Sequence, residues 1–150
     1  MDRDLIAQTK ARYNRIAPYY DIIEFFSERT FGGWRQRLLS HAMGKIVEVG
    51  VGTGKNFPYY PKGVDITGID IAEKMLPRAR KRADGLGLAI NLIEGDVQAL
   101  SFPDNSFDTA VATFVFCSVP DPVLGLKELR RVVKPEGEVL LLVFKGCRNS

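Results

Sequence analysis

The sequence predicts an α/β protein built on a doubly wound parallel sheet, with helices placed ahead of the sheet. Three observations carry this. From Gly44 onward, apolar runs of strand length alternate with helical stretches, and such alternation needs crossover connections and therefore parallel strands. The first run, Ile46-Val47-Glu48-Val49, opens into a glycine-rich turn, Gly50-Val51-Gly52-Thr53-Gly54. The second, Ile66-Thr67-Gly68-Ile69, ends in Asp70, 20 residues after Gly50. A buried strand, a turn where a ligand can approach the backbone, and an acid at the tip of the next strand make the layout of a nucleotide-binding βαβ unit.

The elements follow in order. Up to about Met43 the chain reads as helical, with Leu5, Thr9 and Tyr13 at four-residue spacing on one face and Pro18 interrupting the pattern. A second helix is expected from about Trp34 to Ala42, stopped near Gly44. Lys45 to Gly50 is a buried strand, and Gly54 to Tyr60 a short helix ended by Pro61. Val64 to Ile69 is the second strand; Ala72 to Ala83 is a helix that Pro77 makes start late or kink. Ala89 to Ile93, with polar Asn91 between apolar neighbours, suits a sheet edge, and Phe107 to Phe114 a central strand. Asp121-Pro122 is a helix start, a capping side chain followed by proline at the first helical position. That helix is expected to turn Val123, Leu126, Leu129 and Val133 inward and to stop at Pro135. Glu138 to Phe144 is the fifth strand, apolar on both faces. With six residues after it, this strand sits at a bare hydrophobic edge unless the domain is truncated or a second copy pairs with it. A homodimer through that edge is the expectation.

Composition bounds the function classes. The 150 residues read as a single domain, residues 1–43 forming a helical cap or lid and 44–150 the α/β core. Hydrophobic content of 45% and charged content of 26% suit a globular protein, and the longest apolar run is too short to cross a bilayer. Met1-Asp2-Arg3-Asp4 lacks a signal-peptide pattern, and Cys117 and Cys147 form neither a disulfide framework nor a metal cluster. A cytoplasmic protein without a metal is expected. Lys74, Arg78, Arg80, Lys81 and Arg82 read first as a solvated helix face, with attraction to an anionic membrane surface or a phosphate-bearing substrate as the functional alternative. No aromatic-interleaved basic motif points to nucleic acid.

The glycines are spaced Gly50-x-Gly52-x-Gly54, one residue tighter than in dinucleotide sites. Glu48 lies inside an apolar strand, where a carboxylate is costly unless paired or facing a polar ligand. Asp70 and Asp96, the latter in Gly95-Asp96-Val97, fall at strand ends on the same rim of the sheet. Together with Phe107-Asp108 and Leu129-Arg130-Arg131-Val132-Val133-Lys134-Pro135-Glu136-Gly137, these residues make segment 45–143 resemble a class I S-adenosylmethionine-dependent methyltransferase, of Rossmann-like fold. Tyr13-Asn14-Arg15-Ile16-Ala17-Pro18-Tyr19-Tyr20-Asp21 is similar to the branch containing quinone-biosynthesis C-methyltransferases and bacterial phospholipid N-methyltransferases.

The resemblance implies S-adenosyl-L-methionine as cofactor, S-adenosyl-L-homocysteine as product and a small hydrophobic or lipid-like acceptor. It implies that Gly50, Gly52 and Gly54 pass close to the methionine part, with Glu48 orienting the loop or the amino group. Asp70 would hold the ribose hydroxyls, Ile71 pack on adenine, and Asp96 and Val97 recognise the adenine edge. Thr113 and Phe114 would border the methionine amino group and sulfonium, with Asn56 and Phe57 lining the pocket. Tyr13, Tyr20 and Phe57 are the candidate acceptor contacts. The chain departs from the family by lacking two strands after the fifth and by reading Phe144-Lys145 where relatives carry an acid-histidine pair.

Methyl transfer needs in-line alignment and exclusion of water more than a base, and no catalytic residue is assigned; His41, Tyr20 and Asp21 are the candidate bases. Tyr13, Tyr19, Tyr20, Phe25, Phe26, Phe31 and Trp34 place seven of fifteen aromatics within 22 residues. They either anchor the N-terminal helices or form a lid for a flat or lipophilic acceptor. Two other readings compete: a cofactor-binding protein or fragment without turnover, and an NAD-dependent oxidoreductase, against which the tight glycine spacing and Gly95-Asp96-Val97 argue.

Overall fold

The computed structural model describes residues 3–17 and 31–143. The readings placed on Pro18, Tyr19, Tyr20, Asp21, Phe25, Phe26, Phe144 and Cys147 lie outside the described residues.

The described elements are α1 (Arg3–Ile16), α2 (31–39), β1 (Lys45–Val49), β2 (Asp65–Asp70), α3 (Leu76–Gly85), β3 (Ile90–Glu94), β4 (Phe107–Thr113), α4 (Pro122–Val132) and β5 (Val133–Leu142). All strand pairs are parallel and the order is β3-β2-β1-β4-β5. Strand order reverses between β1 and β4, so the ends of these two strands flank the crevice where doubly wound sheets bind ligands. No helix among the described residues is long and apolar enough to cross a membrane.

Side chains alternate across the sheet and so sort onto two faces. Ile46, Ile66, Ile90 and Val111 pack with Leu39 of α2 and Ala79 and Ala83 of α3. Val47, Val49, Ala110 and Ala112 pack with Leu129 and Val132 of α4. Glu48 shares the parity of Ile46, and Thr113 that of Val111. Both therefore belong to the face that α2 covers.

Several boundaries differ from the sequence expectation, each for a local reason. Pro77 makes α3 start late, at Leu76, as its missing N–H requires. The helix expected over Gly54 to Tyr60 reduces to a single 3-10 turn, Phe57–Tyr59, with Pro58 in its first turn. Helix α2 already covers residue 31, ahead of the expected start near Trp34, and ends at residue 39 rather than Ala42. In α1 the inward face is set by Ile6, Thr9 and Tyr13, while Leu5 is exposed. The inward stripe of α4 is Gly125, Leu129 and Val132, not Val123 and Leu126, which are 59% and 40% exposed. Gly125 faces inward because Phe116 occupies the space beside it, where a Cβ would stand 2.8 Å from the ring. The helix ends at Val132 rather than Pro135, and β5 starts at Val133 rather than Glu138. Val133 pairs with Phe107 and Glu138 with Thr109, so the chain bulges between them. Lys134 closes the bulge with an ion pair to Asp108 at 2.9 Å.

Candidate functional site

A cavity of about 250 Å³ opens at the C-terminal rim of the sheet, lined from both sides of the β1/β4 switch. Its floor is the glycine turn after β1. Gly50 has φ +63°, and a Cβ there would stand 2.3 Å from Val115, so this position accepts no side chain. Gly52 also has positive φ (+57°), yet a Cβ there would meet nothing nearer than 4.0 Å. Its backbone is therefore open to a ligand on the cavity side.

The β2–β3 end of the cavity holds two acids. Asp70 is buried, and its Oδ2 accepts the Gly52 N–H and its Oδ1 the Ala72 N–H, both at 2.8 Å. Burial pushes its carboxyl above the usual range, and the two backbone donors oppose that push. Asp96 accepts the Gln98 N–H at 2.9 Å, and the Gln98 side-chain amide bonds the same carboxylate at 3.2 Å. Ile71 and Val97 line the wall between the acids.

The β1–β4 end is a network of side chains. Glu48, 2% exposed, accepts a hydrogen bond from Tyr60 Oη at 2.5 Å. Burial raises its carboxyl to about 7, against the lowering effects of Tyr60, Asn56 and the Arg35 charge. Arg35, projecting from α2 and 5% exposed, donates through Nη1 to Asn56 Oδ1 at 2.7 Å and to Thr113 Oγ1 at 3.0 Å. Asn56 Nδ2 also donates to Thr113 Oγ1, at 3.0 Å. The guanidinium lies 5.2 Å over the Phe114 ring, and Phe31 packs on the same ring at 5.0 Å. Phe114 itself has φ +58°. A bulky residue in the left-handed region costs on the order of 1 kcal/mol or more, and its N–H is held by Leu142 O at 2.7 Å.

Helix α1 forms the roof. Ile6, Thr9 and Tyr13 line the cavity, and Tyr13 Oη is 2.7 Å from Ser118 Oγ. Lys10 pairs with Glu73 and Glu94 at 2.5 Å, and Asn14 Oδ1 accepts the Lys74 N–H at 3.2 Å. The roof is thus tied to the loops after β2 and to the end of β3.

Of the residues singled out from sequence, Glu48, Gly50, Gly52, Asn56, Asp70, Ile71, Asp96, Val97, Thr113, Phe114 and Tyr13 all line this cavity. Gly54 and Phe57 do not join them. Phe57 is 1% exposed and packs beneath Gly54 in the core, where a Gly54 Cβ would stand 2.4 Å from its ring. His41 is exposed, its Nδ1 3.0 Å from Arg37 O. Arg35, Tyr60, Gln98 and Ser118 escaped sequence reading. A signal for Arg35 was present: it falls in register with Phe31 and Leu39, a cation on the inward stripe of its helix.

The family profile described as a methyltransferase domain matches residues 47–141. The chain belongs to that family. It is 41% identical over 113 residues to a phosphatidylethanolamine N-methyltransferase of Cereibacter sphaeroides, covering 72% of this chain and 56% of the relative. It is 34% identical over 142 residues to a demethylmenaquinone methyltransferase of Thermus thermophilus, covering 88% and 64%. Among solved structures, a possible histamine N-methyltransferase of Thermotoga maritima aligns with TM-score 0.69 and 30% identity, over 86% of this chain and 58% of that one. The chain thus spans between about half and two-thirds of the length of these relatives.

The cofactor of this methyltransferase family is S-adenosylmethionine, and the residues present fit it. Asp70 keeps acceptor capacity beyond its two backbone bonds, and the open side of Gly52 leaves room for close approach. The donor set at the opposite end is charged and polar, as a charged amino-acid moiety requires.

Proposed function

We propose that this domain transfers a methyl group from S-adenosylmethionine to a small hydrophobic acceptor of quinone or lipid type. The observation that carries the reading is the cavity at the strand-order switch, with acids at its two ends and a roof made from α1. When bound, S-adenosylmethionine supplies an electrophilic methyl group on a sulfonium. The residues of the chain then have three tasks. Asp70 accepts the ribose hydroxyls, while Ile71, Val97 and Asp96 enclose the adenine. Gly50, Gly52, Glu48, Asn56, Thr113 and Phe114 hold the methionine part and fix the direction of the sulfur. Tyr13 and the apolar face of α1 seat the acceptor and exclude water, which aligns it for in-line attack.

The lipid-type acceptor is supported by two relatives, one named for a phospholipid substrate and one for a quinone. In this reading residues 1–43 cap the core 44–150 as one domain. We place it in the cytoplasm, in peripheral contact with a lipid surface that delivers the acceptor, and as a homodimer. The dimer reading is supported by β5, which is the edge strand of the described sheet, with Val143 58% exposed at its end.

Calorimetric titration with S-adenosylhomocysteine, with NAD as control, tests the cofactor reading: micromolar binding of the first alone is expected. Labelled-methyl transfer to demethylquinol and to phosphatidylethanolamine vesicles tests the acceptor. Transfer to neither, by a chain that binds S-adenosylhomocysteine, leaves a cofactor-binding domain without turnover. Deleting residues 1–30 should weaken acceptor methylation more than cofactor affinity; equal losses would make the cap merely structural. A monomer by light scattering across micromolar concentrations would remove the dimer.

A further inference from the structure

We propose that the Tyr13 and Ser118 hydroxyls act as one unit that orients the acceptor through an uncharged hydroxyl group and disfavours an acceptor with a positive charge at that point. The proposal rests on the methyltransferase reading above and adds Ser118 as the residue that sets the Tyr13 hydroxyl.

The two hydroxyls meet from separate parts of the fold. Tyr13 comes from the roof helix α1, and Ser118 from the 3-10 turn Phe116–Ser118 that follows β4. Tyr13 Oη lies 2.7 Å from Ser118 Oγ, and both residues line the cavity. This bond is not what holds the roof in place. Lys10 pairs with Glu73 and Glu94, Asn14 takes the Lys74 N–H, and Ala17 packs with Ala72 and Met75. Ser118 is fixed independently, its N–H donating to Val115 O at 2.9 Å. Two elements anchored elsewhere thus present paired hydroxyls to the cavity.

A pair of hydroxyls has two hydrogens, and one is used inside the pair. The other hydrogen and the remaining lone pairs are left for a ligand, so the unit both donates and accepts. A ligand hydroxyl does the same and is its natural complement. Thr9 does not compete as a donor, because its Oγ1 hydrogen goes to Leu5 O at 2.9 Å. Burial pushes the Tyr13 hydroxyl above its usual range, against the lowering effect of the Ser118 bond. It therefore keeps its proton near neutral pH.

The surroundings decide which acceptors fit. The roof and the wall after β4 are the part of the cavity that the cofactor reading leaves for the acceptor. Their cavity-lining residues Ile6, Thr9, Tyr13, Ser118, Val119 and Pro120 carry no charge. Charges of opposite sign, on Arg12 and Asp70, act on Tyr13 and oppose one another. An ammonium seated against the unit would be a charge without a partner, which is costly, whereas a hydroxyl finds both a donor and an acceptor there.

The test uses protein saturated with S-adenosylhomocysteine and three probes of similar shape, titrated by calorimetry: 1-naphthol, naphthalene and 1-naphthylmethylammonium. The naphthol should bind about fivefold more tightly than naphthalene, as a neutral hydrogen bond provides, and the ammonium most weakly of the three. Tyr13→Phe and Ser118→Ala should each remove the naphthol preference, with naphthalene and S-adenosylhomocysteine affinities changed by less than about twofold. Ser118→Thr, which keeps a hydroxyl, should retain the preference. A purely structural bond would weaken all ligands alike in both variants, and that result would overturn the proposal. An ammonium that binds as tightly as the naphthol, a naphthol preference that survives both variants, or no binding of any probe would overturn it too. Failure of the unmutated protein to bind S-adenosylhomocysteine would instead overturn the cofactor reading.

Discussion

The β2–β3 end of the cavity and the β1–β4 end are both built on buried acids, and they settle those acids differently. At the first, Asp70 and Asp96 are satisfied by backbone N–H groups of Gly52, Ala72 and Gln98. At the second, Glu48 is met by side chains, Tyr60 and Asn56, with the Arg35 charge beyond them. Backbone donors come with the loop conformation and survive most substitutions nearby. Side-chain donors must each be supplied by a particular residue. The first end is therefore a property of a motif, and the second a property of the whole fold.

Four substitutions break or sharpen this contrast. The largest effect is expected at Gly50, which joins the two ends. Gly50→Ala must fit a Cβ 2.3 Å from Val115 at a φ of +63°, and overpacking plus left-handed strain should cost about 4 kcal/mol in urea unfolding. A cost below about 1 kcal/mol would mean the turn can re-form around a side chain.

Next comes Glu48. Its folded carboxyl, at about 7, lies above the usual 4.5, so between these values the folded state binds more protons than the unfolded one. Stability must then fall as pH rises through that window, by about 3 kcal/mol from this group. Urea midpoints of the native protein minus those of Glu48→Gln should show the fall between pH 4.5 and 7 and level off above it. A flat difference would place the carboxylate in water.

At the other end, Asp70→Asn sets an amide nitrogen against a backbone N–H, leaving a buried donor unmet, for a cost of about 2 kcal/mol. Because two backbone donors hold this acid, its loss should also free the glycine turn, read as faster amide exchange at Gly52. The smallest effect belongs to neither end. Asp121 Oδ1 caps α4 through the Leu124 N–H at 3.0 Å, and Asp121→Ala should cost about 1 kcal/mol with cofactor affinity unchanged.

The same contrast explains what could be read from the sequence. Asp70 reaches partners 2 and 18 residues away, and Asp96 a partner 2 away, so spacing along the chain foretold that end. The edge position of β3 and the cap at Asp121 were legible for the same reason: short patterns fix them. Arg35 bonds residues 21 and 78 positions away, and its place on the inward stripe of α2 marks it as buried without naming those partners. Tyr60 was similarly hidden, read as the end of a helix that proved to be one turn. Helix α4 misled because its apolar residues outnumber its inward positions. Gly125 takes an inward position because Phe116 from the preceding loop already fills the space beside it.

The order of strands in the sheet also sets an order in time. A chain made from its N-terminus completes β1, β2 and β3 before β4 exists, so the Asp70 and Asp96 half of the crevice can close on a growing polypeptide. Arg35 and Glu48 are both synthesised early, yet Thr113, which fixes Arg35 against the sheet, arrives 78 residues after it. Closing so long a loop is slow compared with pairing neighbours. Ribosome-bound chains halted after β3 should already protect the β2 amides while leaving Arg35 open to a guanidine-modifying dicarbonyl. Full-length chains should protect both. The β1–β4 half of the pocket would then be the last to form.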